Sequence, residues 1–234
     1  MVRWLGNFGG PMHARDIPVV GGLIDTALDF ISALSRIARH PFGFVHTLAF
    51  DDPEELRRAL KFIGAGIAFA YLIISPALNR HGFAIGELMF GVIVLLRLLV
   101  VGLLYHAAFL IVGYRRPVAT TLILGSYING IYFPFFMTVM LPAYLIIGPQ
   151  PFFDPLAQPA LTQQQLQALE APLVRFAQIA FFVVYPFFYA VVTYWWAKAY
   201  GARIWISAVL LLVALVLTAL VNTYIFPFAI RPLL

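Results

Sequence analysis

Along this chain long apolar runs alternate with short polar breaks. Five runs, roughly 62–78, 83–113, 117–147, 173–200 and 204–227, approach or exceed the length needed to cross a bilayer. The hydrocarbon core is ~30 Å thick and takes about 20 mainly apolar residues per helix. The second run is longer than that at ~1.5 Å per residue, so it tilts, bends or projects from the membrane. Pro134 and Pro142 interrupt the third run and Pro186 the fourth. Each removes a backbone hydrogen bond, which predicts bent helices there. The pattern predicts an all-α polytopic membrane protein with five transmembrane helices, 61–228, and a proline-rich outer loop over 148–172.

The first sixty residues read differently. Between Val19 and Arg39, Val20, Leu23, Ile24, Ala27, Leu28, Ile31, Leu34 and Ala38 share one face of a helix. Asp25, Asp29, Ser32, Arg36 and Arg39 share the other, and Pro41 stops the helix. The early acids and late bases complement the helix dipole. This is an N-terminal amphipathic helix at about 19–39. It either lies in the headgroup layer or packs on the protein's own spans, and the sequence leaves both open. The opening run is broken by Gly, Pro, Arg15 and Asp16, so it does not read as a secretory signal. Further on, Asp52 has cap chemistry, Pro53 suits the first helical position and Glu55 is spaced for a capping box. Glu54 and Arg58 are spaced to pair at i,i+4. Arg57, Arg58 and Lys61 follow where lipid phosphates would meet them.

Composition agrees with a membrane setting. The chain is 62 % hydrophobic and 11 % charged, with a mean hydropathy of +0.92, against ~25 % charged residues in an ordinary soluble domain. A nucleic-acid binder, a disordered hub and a collagen-like fibre are excluded on these grounds. No cysteine is present, so disulfides, thiolate metal sites and cysteine nucleophiles are excluded too. The net charge of +5 sorts by side. Eleven of the fifteen Lys and Arg residues fall on the side of the amino terminus, and Arg80, Arg175 and Arg231 on the other. Excess Lys and Arg mark the cytoplasmic side. The amino terminus is therefore expected in the cytoplasm, the carboxyl terminus outside, and the host membrane is expected to be a bacterial inner membrane. Trp195 and Trp196 are expected at the cytoplasmic lipid interface.

Ionisable groups inside a membrane are candidates for function. Three lie in the second run: Glu87, Arg97 and His106. On a straight helix Glu87 and Arg97 stand about 80° and roughly 15 Å apart, and His106 lies about 180° around from Arg97. They do not form one site on that helix alone. Arg97 suits a substrate carboxylate, a lipid phosphate or a partner's acid, or else a structural cation. His106 is a candidate metal or haem ligand, or an ordinary hydrogen-bonded side chain. Asn129 and Gln178 are candidate contacts in the third and fourth spans. Gly64 with Ala68, and Gly66 with Ala70, form small-xxx-small pairs that permit close helix approach, within the chain or between copies. No HExxH, Walker, GxSxG or Rossmann pattern occurs.

The stretch His40-Pro41-Phe42-Gly43-Phe44, then Leu48-Ala49-Phe50-Asp51-Asp52-Pro53-Glu54-Glu55-Leu56-Arg57-Arg58-Ala59-Leu60-Lys61-Phe62, resembles the approach to the membrane in bacterial Yip-type proteins, relatives of the Ypt/Rab-GTPase-interacting family. The Arg115-Arg116-Pro117 hairpin with Thr120, Thr121 and Tyr127 is similar as well. The resemblance implies five spans with the amino terminus inside, and it carries no catalytic residue. The expectation is a non-enzymatic integral membrane scaffold or accessory subunit, without cofactor or metal. It would act through lipid and helix contacts with other membrane proteins or with itself. A small-solute or lipid transporter built around Arg97, and a pigment- or cofactor-binding subunit, are the alternatives.

Overall fold

The computed structural model describes residues 18–81, 85–147 and 172–220. The expected outer loop up to residue 171, the end of the fifth run and the first 17 residues lie outside the described residues. The chain is all-helical: 88 % of the described residues are helix and none is in a strand. In order come α1 (Pro18–Arg39), a 3-10 turn (Phe44–Thr47), α2 (Pro53–His81), α3 (Ile85–Ile111), α4 (Val118–Ile147), α5 (Pro172–Tyr200) and α6 (Ile204–Leu220).

The start of α2 follows from its sequence. Asp52 Oδ1 accepts the backbone N–H of Glu54 at 2.9 Å, and Pro53 occupies the first turn, where its missing N–H is no loss. Glu55 does not complete a capping box. Its carboxylate turns inward instead and accepts the Tyr127 hydroxyl at 2.7 Å. The surface ion pairs are also one residue closer than expected: Glu54–Arg57 at 3.7 Å and Glu55–Arg58 at 3.8 Å, both i,i+3.

Two turns reverse the chain by the same device. After α3, Gly113 adopts φ +97°, its N–H reaches Leu110 O at 2.9 Å, and Tyr114 N–H reaches Phe109 O at 2.9 Å. After α5, Gly201 adopts φ +67°, with Gly201 N–H on Lys198 O at 3.3 Å and Ala202 N–H on Ala197 O at 2.8 Å. Both are Schellman ends, whose left-handed residue glycine accepts without strain. The Tyr114 ring packs on Phe109 across the first turn, with centroids 6.3 Å apart.

The tightest contact is α2 against α4. A β-carbon added to Gly66 would collide with Gly130 O and lie 2.8 Å from Gly130 Cα. One added to Gly130 would sit 2.5 Å from the Phe62 ring. Backbone therefore meets backbone at this crossing. Pro134 has no N–H to give to Gly130 O in its own helix, so that carbonyl is free to face α2. Above the crossing, Ala70, Ile74, Ala77 and Leu78 pack on Met137 and Tyr144. Below it a larger cluster joins Phe30, Phe44, Phe62, Phe109, Ile123, Tyr127, Trp195, Trp196 and Tyr200. Of the two small-residue pairs, Gly66 with Ala70 is internal packing. Gly64 and Ala68 are exposed, and nothing stands within 4 Å of a β-carbon at Gly64.

Helix α1 packs on the protein, but by an unexpected edge. Phe30, Ala33 and Ile37 are buried, and the Phe30 ring meets Phe62 at 4.8 Å and Phe69 at 6.0 Å. At ~100° per residue that edge lies roughly 100° around from the centre of the apolar stripe. Leu28 and Ile31 in the stripe remain 49 % and 56 % exposed. Both sequence readings thus keep a place: one edge packs, while Leu28 and Ile31 in the stripe stay open and Leu34 packs partly on the core.

By length and composition Pro53–Asn79 and Val118–Pro142 can each cross a membrane. Phe182–Tyr200 and Ile204–Leu217 pass only as a pair, bent by 114° at their break, and Leu99–Ile111 is a shorter apolar helix. Two to three membrane-capable helices are therefore visible among the described residues, where the sequence pattern predicts five. The sequence pattern reads 173–200 and 204–227 as two full spans, whereas the described parts of those helices meet the length and hydropathy needed only together, across the bend at Gly201.

Candidate functional site

The polar groups of the larger cluster fall into a closed set and an open set. In the closed set the Tyr200 hydroxyl lies 2.7 Å from His106 Nδ1 and 2.6 Å from Thr121 Oγ1, which are themselves 3.1 Å apart. The His106 ring is 7 % exposed. Through Nδ1 the ring ties α3 to α4 and α5. Ser207 Oγ donates to Thr193 O at 3.0 Å, and the Tyr189 hydroxyl to Ala208 O at 2.9 Å, joining α5 to α6. Asn129 Nδ2 donates to Gly125 O at 2.7 Å, within its own helix.

Asn129 also lines a cavity of about 160 Å³ between α3, α4, α5 and α6, with Tyr105, Tyr132, Tyr189, Trp196 and Leu211. Ligand pockets commonly run ~300–1,000 Å³. A space this size suits a few waters or one small ring, not a pigment.

The open set flanks a cleft of about 460 Å³ between α1 and the first turns of α2. Arg36, Arg57, Arg58 and Lys61 supply four cations, Asp29 and Glu54 two carboxylates, and Phe62 and Tyr127 the floor. The side chains of Arg57 and Arg58 are each 68 % exposed. Glu55 lies beneath at 7 % exposure, bonded to Tyr127, so the same turn of α2 carries one buried and several open charges. The Arg36 guanidinium stands 5.9 Å over the Phe44 ring.

Of the residues singled out in sequence, Arg57, Arg58 and Lys61 come together in this cleft. Glu87, Arg97 and Gln178 belong to α3 and α5, but their side chains lie outside the described residues. Trp195 and Trp196 are corrected: each is 1 % exposed, so neither faces a lipid interface. Trp195 Nε1 donates to Pro41 O at 2.6 Å, pinning the turn before α2 to α5, and Trp196 stacks on Phe109 and Tyr200. Sequence reasoning overlooked Arg36, Glu55 and Tyr127 as site members. A signal was present for Glu55, because Glu55, Ala59, Phe62 and Gly66 follow helical spacing on the face that packs. Comparison with family models, curated proteins and solved structures returned no match.

Proposed function

We propose that this chain is an integral membrane scaffold or accessory subunit that spans the bilayer five times with its amino-terminal side in the cytoplasm of a bacterial cell. It acts without catalysis, through lipid and helix contacts in a larger membrane assembly. The Yip-type resemblance implies the same arrangement. One observation carries the reading: the polar groups that tie the helices together bond mainly within the chain, with Thr120 Oγ1, Thr193 Oγ1 and Trp196 Nε1 the buried atoms left without a partner among the described residues, while the outside is apolar. His106, Thr121, Tyr200, Ser207, Tyr189 and Asn129 each bond within the protein. Twenty-nine large apolar side chains are exposed among the described residues, including Phe182 at 73 % and Ile111 at 86 %. A water-soluble monomer rarely shows an apolar patch beyond ~600 Å², so a lipid or protein cover is required.

Asn129 in the small cavity donates to its own helix, and Arg97, around which the transport alternative is built, has its side chain outside the described residues. The test is extraction of the full chain from native membranes in mild detergent, followed by sizing and quantitative mass spectrometry. Co-purification with fixed-stoichiometry membrane partners or with itself is expected. A monomer that moves a solute across vesicles would overturn the scaffold reading.

A further inference from the structure

We propose that the cleft between α1 and α2 seats the phosphate-bearing headgroup of an anionic phospholipid, whose acyl chain runs along the outward face of α2. This rests on the membrane reading above and adds a ligand class and a seat.

The first argument is charge. The cleft holds two more cations than carboxylates. The neighbouring acids do little to neutralise them: Glu54–Arg57 at 3.7 Å and Glu55–Arg58 at 3.8 Å are well beyond the ~2.7–2.9 Å of a charge-assisted hydrogen bond. Lys61 makes no ion pair among the described residues. Guanidinium and ammonium donors thus converge on a space with room for a phosphate group. Asp29 and Glu54 repel anions from two sides, so the cleft fits one or two negative charges rather than a polyanion. Thr26 is already engaged, its hydroxyl donating to Gly22 O at 2.8 Å.

The second argument is independent of charge. Lys61, Ala65, Ala68 and Leu72 follow i, i+4, i+7, i+11 spacing, so the cationic face of α2 continues as one apolar stripe. Leu72 is 66 % exposed, neighbouring Phe69 is 45 % exposed, and Gly64 leaves open space beside them. From Lys61 to Leu72 the stripe is roughly 16 Å long, a useful fraction of an acyl chain. A free phosphate would use the first two turns and leave the stripe bare. An amphiphile with an anionic head matches both halves, and a bilayer surface supplies it in quantity.

The test uses the full chain in nanodiscs of phosphatidylcholine with one-fifth phosphatidylglycerol, reading retained lipid by native mass spectrometry. Phosphatidylglycerol should be retained over phosphatidylcholine. The combined Arg57→Gln, Arg58→Gln, Lys61→Gln variant should lose that preference by roughly tenfold or more. These side chains are exposed, and the charge-keeping Arg57→Lys, Lys61→Arg variant should retain the preference, which separates binding from folding. Leu72→Gln should shorten lipid residence while leaving the charges in place. Equal retention of the two lipids by the wild type, or full displacement by 10 mM inorganic phosphate, would overturn the proposal. Release of the chain from membranes by a carbonate wash would instead overturn the membrane reading itself.

Discussion

The two faces of α2 are built from the same ingredients and end in opposite states. Each begins with a charged residue, passes a small-xxx-small pair about one to three turns later, and finishes apolar. Inward, Glu55 is bonded to Tyr127, Gly66 and Ala70 lie against α4, and Ile74 is 1 % exposed. Outward, Arg57 and Lys61 are open, Gly64 and Ala68 touch nothing close, and Leu72 is 66 % exposed. Residue type does not separate these faces. What separates them is whether a partner on α4 completes each group. The inward face holds the fold together, and the outward face is left for something outside the chain.

That contrast is broken most severely at the glycines. Gly66→Leu drives a side chain into the Gly130 backbone, where neither helix can yield locally, and should cost about 3 kcal/mol or more. Gly64→Leu, two residues away, should stay within about 0.5 kcal/mol. Reversible unfolding in mixed micelles compares the two, and similar losses would show that the faces are not distinct.

The charged turns give the next largest difference. Tyr127→Phe takes the hydroxyl from a buried carboxylate and should cost about 1–3 kcal/mol. Glu54→Gln breaks only a long, exposed ion pair and should cost less than about 1 kcal/mol. The same unfolding measurement reads both. A closed polar set should also tolerate some loss if its remaining members can re-pair. Tyr200→Phe leaves His106 and Thr121 3.1 Å apart and able to bond each other. It should therefore cost only about 1 kcal/mol, less than Tyr127→Phe. The smallest stability effect belongs to Arg57→Gln with Lys61→Gln, within about 0.5 kcal/mol, because Arg57 has only the long, exposed pair with Glu54 and Lys61 has no ion pair among the described residues. A large destabilisation there would mean that the cleft is structural.

Much of this was readable in the sequence, and the misses share a cause. The helical character, the Asp52 cap, the Gly66–Ala70 packing pair and the exposure of Arg57, Arg58 and Lys61 follow from spacing and residue type. Helical periodicity places residues on a face, but in a membrane both the protein-facing and lipid-facing sides are apolar. That is why Phe30, Ala33 and Ile37, not the centre of the α1 stripe, are the buried residues of α1, with Phe30 packed on α2. For the same reason Trp195 and Trp196, with the composition of an interfacial belt, lie at 1 % exposure in the core. Glu55 was assigned to a cap because its neighbours in sequence are a cap. Its actual partner is 72 residues away on α4, a distance that local spacing does not report.

The most direct test follows α2 from headgroup to acyl region in a bilayer. With no native cysteine in the chain, Arg57→Cys, Lys61→Cys, Ala68→Cys and Leu72→Cys each accept a single nitroxide label. In anionic vesicles, labels replacing Arg57 and Lys61 should collide with a water-soluble nickel complex, and those replacing Ala68 and Leu72 with dissolved oxygen. Nickel access at all four positions would place the outward face of α2 in water and contradict the account.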